Sequence, residues 1–453
     1  LRLEVEVPTS ATLVLAQEER FKSYFNRLSH LLSEHTRVLN EIAPVTKELL
    51  KPHVADVEFS LRPGFTDLTW TSTNIDLFLK RSLLKIENLE TLVAKINDML
   101  HNRVDFNLKS ASRVMLIDLP DDESATCEEF VELQNKTAKF EGKKLATKSD
   151  EVRRSCDEII ALLVEQLPKT DDGFQIPVEE FAVGEFKAHY ARLTYSAVLH
   201  ATRRSFAGLK KKVFSSGGGG FLFLERPFFE VTVQLSVPHV VLQPSLEDIQ
   251  TAVNGAAKKI LHASREIKRW GNTDLNGDEE NVPGVDYDAI GTKSFYDEIA
   301  SDLEIVKLVI LLTGSMEGLK RSVNDHLKSY EAYDFLYLTN LQKVYGAFIK
   351  TNPNLEQFEK ELMKFMAIER AVLKFAPVHV IGPLSLETQP LKLALRSEAA
   401  TWKAQFAKNL HLHGKEKLEQ LLEYVKTTTL LLTREVEDLE DVRKVMAIQQ
   451  DIR

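Results

Sequence analysis

The most constraining stretch of this chain is 418–453, LEQLLEYVKTTTLLLTREVEDLEDVRKVMAIQQDIR. Leu418, Val425, Leu432, Leu439 and Met446 recur every seven residues, and Leu421, Leu422, Val436 and Val442 widen that line into a stripe. Neither Gly nor Pro interrupts it. A seven-residue apolar period keeps one helix face against a partner helix along its whole length. The spacing therefore predicts a long helix buried along one side by the other helices of its bundle. Helical throughout, 418–453 would reach roughly 54 Å at about 1.5 Å per residue, the length of a strut. No stop signal closes the pattern, which predicts a helix leading into further sequence.

Few breakers occur elsewhere. Nineteen Gly and fifteen Pro in 453 residues, with long periodic runs between them, predict a mostly helical chain. The length suggests several domains. Hydrophobic content of 43% and charged content of 28% are those of a folded soluble chain. The net charge of −9 disfavours general nucleic-acid binding, which needs a basic footprint. There are two cysteines, Cys127 and Cys156. Cys156 falls on the apolar face of a predicted helix, so free thiols in a reducing cytosol are expected rather than a disulfide framework. No signal peptide is visible. The longest nearly apolar run, Ile305 to Leu312, contains Lys307 and is far shorter than the ~18 residues a membrane span needs.

Along the chain, a helical pattern runs from Ser10 to Leu50, with Pro44 as a kink or division. Residues 51–74 read as extended and turn-like, because Val57, Phe59 and Leu61 alternate and Pro63-Gly64 marks a turn. Helices are expected over 75–102, 124–140 and 150–167, the last two joined through EGKKLATK, and over 178–214. Ser215 to Gly220 makes a flexible joint. The following FLFLERPFFEVTVQLSVPHVVLQP is the one convincing strand-like region, and Pro227, Pro238 and Pro244 restrict it to an edge or an extended strap. Residues 271–304 form an acidic insertion with ten Asp or Glu against one Lys. Further helices are expected over 320–350, 355–375 and 390–409, before the terminal one. Extended straps at 54–70, 223–244 and 377–390 would cross from one bundle to the next. The expected fold is all-α, an elongated series of helical bundles with a few strand-like straps. Its sections are 1–214 as first and second bundle regions, 215–250 as joint and strap, 251–380 as a third bundle with the acidic insertion, and 381–453 as terminal bundle and long helix.

The candidate chemistry is thin. Gly217 to Gly220 lead into Phe221-Leu222-Phe223-Leu224 with no Lys, whereas a phosphate-binding loop ends in G-K-[ST] before a helix. A flexible joint is the better reading. Asp274, Asn276 and Asp278 open like a calcium loop, but Glu279 stands where the sharp turn needs Gly, and Val285 where a bidentate Glu belongs. A solvated acidic loop is preferred. His411 and His413, at i and i+2 on a helix, point apart and read as helix-end cations near Gly414. Trp70, Trp270 and Trp402 read as core anchors at bundle junctions. No hydrolase, zinc-protease, C-x-x-C or dinucleotide fingerprint occurs, so no catalytic residue, metal or cofactor is expected. Two patches remain as partner-docking candidates. One is the stripe of Tyr330, Tyr333 and Tyr337, a core face at this spacing or an interface, since Tyr is favoured at interfaces. The other is the acidic group Glu435, Glu437, Asp438, Glu440 and Asp441, a solvated helix face or a charged docking surface.

Three stretches resemble the tail of axonemal dynein heavy chains of the outer-arm class. They are Leu68-Thr69-Trp70-Thr71-Ser72 leading to Ile75; Pro227-Phe228-Phe229 through Pro238-His239-Val240-Val241-Leu242-Gln243-Pro244 and on to Gln250; and Asp438-Leu439-Glu440-Asp441-Val442-Arg443 with Met446 and Asp451-Ile452-Arg453. The resemblance implies a tail or neck segment just before the linker, lacking the family's N-terminal dimerisation region, with the ATP sites and microtubule-binding domain elsewhere. It implies intermediate chains, light chains and other heavy chains as partners, the doublet microtubule indirectly, and a place in the cytoskeleton of the axoneme. From the charge and the short apolar runs, no nucleic-acid or membrane partner is expected. The rivals are a cytosolic tethering or spectrin-like rod, which would lack the 238–250 strap, and an α-helical hydrolase, which would need a pocket with perturbed carboxylates or His.

Overall fold

A computed structural model describes residues 8–118, 126–168, 177–214, 227–270, 294–433 and 438–451. The Gly-rich stretch 215–220, most of the acidic insertion, and Glu435 and Glu437 lie outside the described residues. The chain divides into two compact units, one of 1–120, 130–212 and 253–312, the other of 121–129, 213–252 and 313–453.

The first unit is helical. It begins with α1 (Thr9–Ala16), α2 (Glu18–Glu41), α3 (Lys51–Leu61), α4 (Pro63–Thr66) and α5 (Ile75–Met99). The expected extended strap at 54–70 is therefore helix. Pro52 stands in the first turn of α3, where its missing N–H costs nothing. Val57 and Leu61, one turn apart, are buried while Phe59 between them is exposed, so the apparent alternation was half of a helical period. α2 packs on α5, and Leu31 and Val38 of α2 and Ile86, Leu92, Val93 and Ile96 of α5 are buried, each worth roughly 1.5–3 kcal/mol when fully buried. Trp70 is 49% exposed with its ring edge-on to Phe21, so it is not the expected core anchor.

A π-helical turn at Leu100–Asp105 carries α5 into α6 (Phe106–Ser112). Next come α7 (Cys127–Glu165) and α8 (Glu180–Phe214). The EGKKLATK joint is absent: α7 is one helix of 39 residues. Gly142 within it is buried, and a Cβ there would lie 3.6 Å from that of Ala263. Cys156 is buried as expected, and both cysteines are free.

α9 (Leu246–His262), α10 (Tyr296–Ala300) and α11 (Leu303–Lys328) follow. Asp302 organises the start of α11: its Oδ1 accepts from the Ile305 amide at 3.1 Å, and its carboxylate pairs with Arg203 at 2.6 Å. Among the described residues no helix is long and apolar enough to cross a membrane.

The second unit contains a sheet. β1 (Phe229–Ser236), β2 (His239–Gln243), β3 (Val378–Ile381) and β4 (Leu384–Glu387) form four strands in the order β2-β1-β4-β3. β1 pairs antiparallel with β2 and parallel with β4, so it is an inner strand rather than the expected edge. The prolines flank the strands instead of entering them: Pro238 sits in the β1–β2 turn and Pro244 just after β2. Phe229, Val231 and Val233 alternate inward. β3 and β4 join through Gly382-Pro383, with Gly382 at φ 55°. The Pro383 carbonyl accepts from the amides of Phe228 and Phe229 at 2.7 and 2.9 Å.

The expected 320–350 helix is divided. α11 ends at Lys328, and α12 (Phe335–Leu338) and α13 (Leu341–Lys350) follow a short 3-10 turn at Glu331–Tyr333. Asn340 caps α13, accepting from the amides of Gln342 and Lys343. α14 (Leu355–Leu373) opens with a full capping box, Asn354 with Gln357. α15 (Gln389–Thr433) is a single 45-residue helix where two were expected, and α16 (Leu439–Asp451) follows. α15 passes straight through Gly414, so His411 and His413 are mid-helix rather than helix-end cations.

α14 and α15 run antiparallel. Glu369 lies 2.6 Å from Lys403, while Phe358, near the start of α14, meets His413. Between them lies an aromatic core of Leu336, Phe358, Phe365, Ala399, Trp402 and Phe406. Trp402 is 3% exposed, and its indole N–H donates to the Leu336 carbonyl at 2.8 Å. It is the core anchor the sequence suggested.

Candidate docking surfaces

The two sequence candidates separate cleanly. Tyr330, Tyr333 and Tyr337 do not line one helix, since the chain turns at 329–334, yet they converge inward. Tyr330 is buried. Its ring stands edge-on to Phe375, as does that of Tyr333. Its hydroxyl lies 3.2 Å from His326 Nε2, and burial raises its pKa. Tyr333 and Tyr337 pack against the aromatic core. The Tyr337 hydroxyl donates to the Asp334 carboxylate; burial and then that bond push its pKa up. His326 stacks on His379 with centroids 4.0 Å apart. Burial, then His379, holds the His326 pKa below its ordinary value.

The acidic candidate is outward-facing where it is described. Asp438 and Glu440 are exposed, and Asp441 is half-buried. Asp438 precedes α16, and its carbonyl accepts from the amides of Asp441 and Val442. Lys444 lies 4.0 Å from the Asp441 carboxylate.

The seven-spaced line overturns the expectation made of it. Leu418 is 60% exposed, Val425 51% and Leu439 85%. Past His413 the second half of α15 has run beyond the start of α14, and among the described residues its apolar side chains are left exposed. Thr428 is the one residue of 418–433 that is buried. A groove of about 760 Å³ begins this face, bounded by the Asn352–Glu356 turn and by His413, Lys417, Leu418 and Leu421. Among the described residues the stripe is an exposed face, not a filled seam.

A second groove, of about 820 Å³, lies in the first unit between α6 and α7. Sequence reading missed it. Phe106 on α6 and Phe140 on α7 belong to different helices, so no periodicity joins them. The available signal was phase: each Phe is out of step with the buried positions of its own helix, Leu108 and Ala111 in α6, Gly142 and Leu145 in α7. Among the described residues no three His, Cys, Asp or Glu are grouped to hold a metal. Both grooves present apolar side chains edged by charged ones.

Residues 1–78 match the family described as dynein heavy chain, N-terminal region 1. Over its full length the chain is 40% identical to the dynein gamma chain of the flagellar outer arm of Chlamydomonas reinhardtii, covering 10% of that protein. It is 25% identical to mouse dynein axonemal heavy chain 5 and 26% to human dynein axonemal heavy chain 8, again over the whole chain and 12% of each relative. The chain thus spans about a tenth of the length of the curated relatives it matches.

Proposed function

Because the chain is homologous along its whole length to axonemal dynein heavy chains, we propose that it is a structural tail segment of a ciliary or flagellar motor. In this reading it transmits force and scaffolds assembly. The observation that supports it most is the pairing of that full-length similarity with a 45-residue helix whose apolar face is left bare over its second half. A load-bearing strut must hand its helix to another body, and an uncovered seven-spaced stripe is what such a hand-over requires. Within this role 1–214, 215–250, 251–380 and 381–453 are successive mechanical sections. Intermediate chains, light chains and neighbouring heavy chains are the partners, and the axoneme is the place of work. ATP turnover belongs to other parts of the full heavy chain. Nothing in the similarities favours the tethering or spectrin-like rod.

The test is made in the full-length heavy chain of a flagellate. Leu418, Val425 and Leu432 are replaced together by Asp. Arms that assemble poorly, or that assemble but drive slower beating, are expected. Unchanged arm assembly together with unchanged beat frequency would remove the hand-over role. The acidic group is tested separately by reversing Asp438, Glu440 and Asp441 to Lys; retention of every subunit in the purified complex would retire it as a docking surface.

A further inference from the structure

The groove between α6 and α7 joins an apolar floor to a charged rim. Its floor is apolar and formed by Val114 and Ile117, both nearly fully buried. The segment that carries them is held firmly. The Leu116 amide donates to Ser205 Oγ at 2.9 Å, and the Gln134 side-chain amide both donates to and accepts from the backbone of Asp118. Two large aromatic side chains stand over this floor in solvent: Phe106 is 62% exposed and Phe140 70%. Large exposed aromatics facing one concave surface mark a site for a partner more often than isolated exposed residues do.

The rim is basic. Lys109 and Arg113 stand on one side, Lys136 and Lys144 on the other, against the two carboxylates Asp118 and Glu141. In a chain of net charge −9 this is a local reversal of sign. The α7 cations are already engaged: Lys144 pairs with Glu141 at 3.0 Å and Lys136 with Glu132 at 2.7 Å. Lys109 and Arg113 are exposed, and among the described residues neither forms an ion pair. Two fixed-sign charges beside an apolar slot select a partner of the opposite charge and steer its approach.

We propose that the α6–α7 groove binds an acidic peptide segment of another polypeptide, one large apolar side chain of which packs on Val114 and Ile117 against Phe106 and Phe140, while its carboxylates pair with Lys109 and Arg113. The volume suits a few side chains rather than a folded domain. The site lies on a different unit from the α15 stripe and does not depend on the dynein assignment.

The 453-residue chain is screened against a displayed library of random short peptides. Recovered peptides are then synthesised with a fluorescent label and titrated by anisotropy. The expected result is enrichment of Asp and Glu around a single Leu, Phe or Trp. Binding should weaken by about tenfold or more in Lys109→Glu/Arg113→Glu and fall as salt rises. Phe140→Ser should also weaken it, and both variants should melt as the parent does, since all three side chains are exposed. Vesicles containing phosphatidylserine are run in parallel. The proposal is overturned if no peptide is enriched, if basic or purely apolar peptides are, or if the charge-reversed variant binds as well as the parent. It is also overturned if the vesicles bind in place of peptides with the same dependence on Lys109, Arg113 and Phe140, which assigns the groove to a membrane surface.

Discussion

Residues 389–410 and 411–433 form one continuous helix, and the two halves live in opposite surroundings. In the first half Leu391, Leu395, Ala399, Trp402 and Phe406 are buried against the sheet and α14. In the second, Leu418, Leu421, Leu422, Val425, Leu431 and Leu432 face solvent. Both halves carry apolar residues at helical spacing. The difference lies in what stands opposite: α14 offers Phe358 and Phe365 to the first half, and its start reaches only the first residues of the second, where Phe358 meets His413. A periodic apolar face specifies that a helix needs a partner; it does not specify that the partner is local. The first half belongs to the core of this unit, and the second half is surface.

Substitutions test that contrast directly. The largest effect is expected from Trp402→Ala, which empties the centre of the aromatic core and should cost about 3–5 kcal/mol, read as a lower midpoint in urea unfolding of the isolated chain. A loss under about 1 kcal/mol would mean that the first half is not the anchor. Trp402→Phe keeps most of the volume but leaves the Leu336 carbonyl without its donor; about 1–3 kcal/mol is expected by the same measurement. Asn354→Ala removes the capping box from the start of α14, the end nearest the exposed half, and should cost about 1 kcal/mol. On the second half, Val425→Asp should leave the isolated chain's unfolding midpoint within about 0.5 kcal/mol of the parent. A large destabilisation there would show that the face is covered within the chain and erase the contrast.

The smallest expected effect concerns pH. His326 has its pKa lowered in the folded unit by burial and by His379, which stacks on it; the other titratable group in contact is Tyr330. The unfolded chain therefore takes up a proton more readily than the folded one. The stability that His326 contributes is complete above its ordinary value of about 6.5 and is lost as pH falls from there through the lowered folded value. His326→Gln should flatten the fall in thermal midpoint between neutral and mildly acid buffer. An unchanged slope would mean that the stacked pair has no part in it.

Much of the fold was legible because helix-forming runs are long and breakers few. The periods of α5 and α14 are readable directly from Leu79, Ile86 and Val93 and from Phe358, Phe365 and Val372. The errors have physical causes. Val57, Phe59 and Leu61 alternate, but two of the three also satisfy an i, i+4 helical pair, and Pro52 at the helix start tips the balance. Gly142 looked like a joint because its lack of a side chain was read locally, whereas its reason is close packing on Ala263. Tyr330, Tyr333 and Tyr337 lie at helical spacing, but the turn between α11 and α12 re-aims them, and their inward packing comes from tertiary contacts with Phe375 and the Trp402 cluster. The inner position of β1 was hidden for another reason. Its parallel partner is β4, far along the chain, and no local pattern announces such a pairing. The α6–α7 groove was illegible in the same way, since its walls meet only in three dimensions.

The parallel pairing of β1 with β4 has a consequence for how the chain is made. Phe229 opposes Leu384 in the ladder, so the inner strand leaves the ribosome roughly 155 residues before its neighbour, a delay of roughly 8–30 s at the usual pace of synthesis. For that interval β1 has β2 on one side and a row of unpaired amides and carbonyls on the other. A nascent chain of this kind is most open to edge-to-edge association in that window, which makes the timing of translation, and not only the final stability, a determinant of how much of it reaches the folded state.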